Sequence, residues 1–89
     1  MEGADLILER AGERLVVQAK KRKKTTGNKA VMEVHAACGY YGGNRAIVIT
    51  STKFSKPALE LAARLNVECW DWNRLLAEMN TGKMNHPVQ

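Results

Sequence analysis

The alternation of apolar and polar positions divides this chain into short strands and helices. Residues 4–10 (ADLILER) alternate and predict a strand. Ala11-Gly12 predicts a turn, and residues 14–20 (RLVVQAK), rich in valine, predict a second strand. A polar stretch, 21–27, follows. Asn28 is placed to cap a helix over about residues 29–41, with Ala30, Val31, Val34, Ala37, Cys38 and Tyr41 on one face and Gly42-Gly43 at its end. Residues 45–50 (RAIVIT) are continuously apolar at their centre, as in a strand buried on both faces. Ser55 caps a second helix that tolerates Pro57 in its first turn. Leu59, Ala62, Ala63 and Leu65 are its expected buried face, and Asn66 its end. Residues 67–72 (VECWDW) predict a last strand, and residues 73–79 a short final helix. Residues 1–80 form the expected domain, and the polar segment 81–89, which contains Pro87, a flexible tail. The order β-β-α-β-α-β-α implies an α/β fold. A hairpin leads into helical crossovers, which require parallel pairing, so the sheet is mixed and flanked by helices.

Composition narrows the class. The 89 residues suffice for one domain, and 45% hydrophobic with 26% charged residues excludes wholesale disorder. No apolar run approaches the roughly 20 residues that span a bilayer. The N-terminus lacks the basic and apolar pattern of a secretory leader, and two cysteines are too few for a disulfide framework. The expected setting is therefore cytoplasmic, with both thiols reduced and no membrane partner. There is no CxxC, no phosphate-binding GxxxxGK[ST] and no GxSxG, so zinc, a nucleotide cofactor and a serine triad are not expected.

The net charge of +5 is concentrated in one place. Lys20, Lys21, Arg22, Lys23, Lys24 and Lys29 fall within ten residues that hold no acid. The remainder carries eight basic and nine acidic residues and is nearly neutral. One basic patch on a neutral body is the footprint of a polyanion binder such as a nucleic-acid-binding domain; the plainer alternative is a solvated basic loop.

The hairpin carries the candidate chemistry. A four-residue loop over residues 10–13 sets Glu9 opposite Arg14, Ile7 opposite Val16 and Asp5 opposite Gln18. Asp5, Gln18 and Lys20 then converge on one face at the open end of the hairpin, while Leu6, Leu8, Leu15, Val17 and Ala19 form an apolar face expected in the core. A carboxylate with the Gln18 and Ala19 carbonyls supplies oxygen ligands for a hard cation such as Mg²⁺. A cation there offsets charge on a phosphate and acidifies water. Lys20 can orient that water or stabilise the pentavalent phosphorus. The same residues also suit a plain surface ion pair.

A longer set of residues resembles a known family. Gly3-Ala4-Asp5-Leu6-Ile7 and Val17-Gln18-Ala19-Lys20 are similar to the core of Mrr-type restriction endonucleases, within the PD-(D/E)xK nuclease superfamily. The resemblance continues through Ala30-Val31-Met32-Glu33-Val34, Ala36-Ala37, residues 46–51 (AIVITS), Phe54, residues 58–63, Val67, Trp70-Asp71 and Leu75. It covers about residues 3–76. Gln18 matches the variant of this family that has Gln where most of the superfamily has an acid.

The resemblance implies a restriction-endonuclease-like mixed sheet and Mg²⁺- or Mn²⁺-dependent cleavage of DNA. Asp5 would be the metal-binding acid, Gln18 the variant ligand and Lys20 the catalytic lysine. Lys21, Arg22, Lys23, Lys24 and Lys29 would hold the DNA backbone. Two features depart from the pattern. The helix that usually precedes Gly-x-Asp is missing, which leaves one sheet face bare and predicts a homodimer; Trp72 replaces a basic residue. Glu33, about 100° round the helix from the centre of its apolar face, is the candidate additional acid. The alternatives are an inactive DNA-binding module of the same fold and a fragment completed by a partner chain. Cleavage of branched DNA, as by archaeal junction resolvases of the superfamily, also stays open. His35 and His86 are read as bystanders.

Overall fold

The computed structural model describes residues 4–80. The chain opens with an antiparallel hairpin of β1 (Leu6–Arg10) and β2 (Glu13–Lys20). Its register pairs Glu9 with Arg14 and Ile7 with Val16, as expected, and adds an Arg10–Glu13 pair. The connection is therefore a two-residue turn, not a four-residue loop. Ala11 and Gly12 both have positive φ, 50° and 81°, and such turns match the right-handed twist of the flanking strands.

Helix α1 (Asn28–Tyr40) follows β2. Gly27, not Asn28, occupies its N-cap, and no side chain caps it. Its last turn closes as two reverse bonds: the Gly43 amide donates to the Cys38 carbonyl (2.7 Å) and the Gly42 amide to that of Gly39 (3.3 Å). Gly42, at φ 66°, supplies the left-handed residue this ending needs. Strand β3 (Arg45–Thr50) lies parallel to β2. Helix α2 (Lys56–Leu65) begins at Ser55, whose hydroxyl accepts from the Ala58 amide (3.1 Å), and ends at Asn66 with φ 58°. Strand β4 (Val67–Trp70) is parallel to β3. Asp71 then accepts from the Arg74 amide (2.8 Å) and starts α3 (Trp72–Asn80). Trp72 is thus an exposed helical residue, not the end of the last strand. The expected tail lies outside the described residues.

The sheet order is β1-β2-β3-β4. Helices α1 and α2 cover one face through Val31, Val34, Ala58 and Ala62, packed on Val48 and Val67. Ile47, Val16, Val31, Val34 and Val48 are each fully buried. Burial of side chains of this size stabilises by roughly 1.5–3 kcal/mol each. In α2 the buried face is Ala58 and Ala62, with Leu61 and Leu65 packed beside them; Leu59 and Ala63 point outward. The helix is rotated from its expected phase because it seats its small residues against the core, where close approach favours alanine.

The second sheet face is closed less completely. Leu15, Val17, Ile47 and Trp70 are buried there, with Leu8, Ile49 and Leu75 against them. Leu6 is 47% exposed and Ala19 is exposed, so the hairpin's apolar face is core only in its middle. A groove of about 360 Å³ runs over this face between the hairpin and α3.

Candidate active site at the end of strand β2

Strand alternation directs the side chains of Val16, Gln18 and Lys20 toward α1. Asp5 sits in a bend just before β1. Its amide donates to the Val17 carbonyl (2.9 Å), and its Oδ2 accepts from the Ala19 amide (2.7 Å). This carboxylate–amide bond holds Asp5 at the strand position between Gln18 and Lys20. By the same alternation the Ala19 carbonyl faces the β1 edge, beyond the point where β1 has ended.

Gln18 is 7% exposed, and its Oε1 is buried without a hydrogen-bond partner among the described residues. A lone buried carbonyl oxygen costs roughly 1–3 kcal/mol. Lys20 Nζ donates to Glu33 Oε1 at 2.8 Å, with the two side chains 18% and 34% exposed. That bond, set against the opposing effect of burial, holds the Glu33 carboxyl below its ordinary value; the charges of Lys20, Lys29 and Arg22 add to it. Helix α1 therefore brings its flank residue Glu33 to the site, through Lys20.

The oxygen donors here suit a hard dication: a carboxylate, an orphaned amide oxygen and a main-chain carbonyl. No group of three or more His, Cys, Asp or Glu is gathered for a metal among the described residues. His35 is exposed on α1. Cys38 and Cys69 are free thiols, and burial pushes Cys69 up to about 11, which leaves it inert at neutral pH.

The basic segment is fixed in place by hydroxyl groups that the sequence reading passed over. The Ser51 hydroxyl accepts from the Arg22 amide and donates to the Arg22 carbonyl, both at 3.1 Å. Thr52 donates to the Lys24 carbonyl (3.0 Å). Thr26 and Thr50, both buried, share a hydroxyl bond of 2.7 Å. The signal was the run Thr50-Ser51-Thr52 at the end of an apolar strand, a place where short hydroxyl side chains capture main-chain groups. Lys21, Arg22, Lys23, Lys24 and Lys29 are all exposed.

A mixed sheet of this order, with a carboxylate, an amide and a lysine at the end of its second strand, defines a restriction-endonuclease-like α/β domain. The restriction endonuclease family model of the Mrr catalytic domain matches residues 1–79, and the chain belongs to that family. The family is one of nucleases of restriction-endonuclease type. Among solved structures, the chain is similar to the crystal structure of a protein of unknown function, AF1548. The TM-score is 0.70 and the identity 28%, over 79% of this chain. The chain spans 41% of the length of that protein. No curated protein matches the chain. No helix among the described residues is long and apolar enough to cross a membrane.

Proposed function

We propose that this chain is a divalent-metal-dependent endonuclease that hydrolyses phosphodiester bonds in DNA. The observation that carries the reading is the orphaned Gln18 Oε1, buried on the strand position next to the Asp5–Ala19 bond and two residues from Lys20. In this reading Asp5, the Gln18 side-chain oxygen and the Ala19 carbonyl hold Mg²⁺ or Mn²⁺. Such an ion supplies Lewis acidity, offsetting phosphate charge and acidifying water. Lys20 orients the attacking water and neutralises charge that develops at the phosphate. Glu33 positions Lys20. Lys21, Arg22, Lys23, Lys24 and Lys29 contact phosphates on either side. The reaction adds water to one phosphodiester and yields a phosphomonoester and an alcohol.

The same reading includes a homodimer. The second sheet face offers both a groove and a ridge: Leu6, Leu8 and Ile49 line the groove, and Trp72, Leu76 and Met79 project from the flank of α3 with exposures of 43–53%. In this reading the ridge of one copy seats in the groove of the other about a twofold axis.

The test is cleavage of supercoiled plasmid with Mg²⁺ or Mn²⁺, with an Asp5→Ala/Lys20→Ala variant alongside. Nicking by the wild type alone supports the proposal. Equal nicking by both removes the site from β2. Binding without nicking makes the chain a DNA-binding module of the same fold.

A further inference from the structure

Three arginines on the body are matched to acids: Arg14 with Glu9, Arg45 with Glu68, and Arg74 with Glu78. The cations around the end of β2 are not. Apart from Lys20, whose partner is Glu33, no lysine of the 21–29 segment forms an ion pair among the described residues. Lys53 and Lys56 share this property. Both are exposed and neither forms an ion pair among the described residues, although the sequence sets them more than twenty residues beyond the basic run.

The backbone brings the two segments together. The Thr26 amide donates to the Lys53 carbonyl (2.8 Å), and the Ser55 amide donates to the Thr26 carbonyl (2.9 Å). Thr26 and Phe54 form a parallel bridge. The chain after β2 thus runs alongside the chain after β3, with Lys24 and Thr25 next to Lys53 and with Lys56 opening α2. Both connections leave from the carboxyl ends of adjacent parallel strands, on the edge where Lys20 sits. Unpaired cations concentrated on one pre-set edge raise the local potential and favour a polyanion.

We propose that Lys53 and Lys56 form a second arm of the DNA-binding edge, contacting duplex phosphates that the 21–29 segment does not reach. The inference rests on the DNA reading above. Lys53 is held through its main chain and Lys56 heads a helix capped by Ser55, so replacing either side chain leaves the fold's hydrogen bonds in place.

The experiment is fluorescence anisotropy of a short labelled duplex of mixed sequence, titrated with the full chain over a range of salt concentrations. Three variants are compared with wild type: Lys53→Gln/Lys56→Gln, Lys21→Gln/Lys23→Gln, and Arg64→Gln as a control at the far end of α2. Each phosphate contact adds about 0.9 to the slope of log affinity against log salt. Loss of two contacts lowers the slope by about two and the affinity at physiological salt by roughly ten- to thirtyfold. The expected result is that fall for Lys53→Gln/Lys56→Gln, with Arg64→Gln unchanged. A wild-type slope in the Lys53/Lys56 variant, with a reduced slope in the Lys21/Lys23 variant, overturns the second arm and leaves the DNA reading intact. Absence of salt-dependent binding by the wild type overturns both.

Discussion

Lys20 on strand β2 and Glu33 on helix α1 meet at 2.8 Å, although thirteen positions separate them in the chain. The pair ties the lysine nearest Asp5 to the helix that covers the sheet. It is partly exposed, so its direct contribution to stability is small. Its consequence is positional. Lys20→Ala is expected to abolish plasmid cleavage with little change in DNA affinity. Glu33→Gln leaves Lys20 charged but loosely held, and activity falls by roughly ten- to a hundredfold, as for residues that orient a catalytic group. Equal loss of binding and cleavage in Lys20→Ala would count against a catalytic lysine. A fully active Glu33→Gln enzyme would remove the positioning role.

Gln18 gives a test in which stability and activity move apart. Its Oε1 is buried and unpartnered. Gln18→Leu replaces that oxygen with apolar atoms of similar volume and is expected to leave the melting temperature unchanged or raise it, while cleavage is lost. Mn²⁺ is expected to raise the melting temperature of the wild type but not of the variant. A variant that still cleaves at the wild-type rate would take Gln18 out of the site.

Acid sensitivity follows from Glu68. The Arg45 guanidinium donates to both its oxygens at 2.8 Å, and the Trp70 indole N–H adds a third bond at 3.3 Å. The Arg45 hydrogen bond is the main cause holding Glu68 below its ordinary 4.5, against the effect of burial. A carboxyl lowered in the folded state stabilises the fold above 4.5, and that stabilisation disappears as pH falls through the folded-state value. Glu33 acts in the same direction. The gap in urea midpoint between wild type and Glu68→Gln is therefore expected to be full at neutral pH and to close below 4.5. A constant gap at every pH would contradict this.

Gly43 is a packing constraint. A Cβ there would lie 2.7 Å from Val16 Cγ2 and 2.9 Å from Cys38 Sγ. Val16 is fully buried beneath α1 and cannot yield. Gly43→Ala is expected to destabilise by about 1–3 kcal/mol, read from chemical denaturation. Gly39→Ala, within α1 where a Cβ meets nothing within 4 Å, is the control and is expected to stabilise by up to about 1 kcal/mol, because alanine is the better helix former.

The proposed dimer is tested at Leu76, exposed on α3. Sedimentation is expected to give a dimer for the wild type and a monomer for Leu76→Glu. A monomeric wild type at high concentration rejects it.

The element order and the hairpin register were legible because both rest on local signals. Period-two alternation fixes which residues of β1 and β2 share a face, and Glu9 opposite Arg14 fixes the pairing. The phase of α2 was not legible. Ala62 and Leu65 face the core as expected, but Leu59 and Ala63 point outward, and Ala58 takes the contact beside Ala62 because the helix lies close to α1 and the sheet. Trp72 read as strand because VECWDW alternates, whereas Asp71 captures the Arg74 amide and starts a helix. That Asp5, Gln18 and Lys20 lie together at the open end of the hairpin was legible from its pairing; the roles given to them come from the family resemblance. The Lys20–Glu33 bond and the hydroxyl ties of Ser51 and Thr52 were not, because they join segments that are distant in sequence.

The buried Thr26–Thr50 bond and the Ser51 and Thr52 ties have a thermodynamic consequence for ligand capture. A basic segment that must fold around its target gives up conformational entropy at that moment and shows a large negative heat-capacity change. Here the ordering has already taken place during folding of the domain. Association at this edge is therefore expected to resemble two rigid charged surfaces meeting: fast, driven by release of counterions, and nearly independent of temperature.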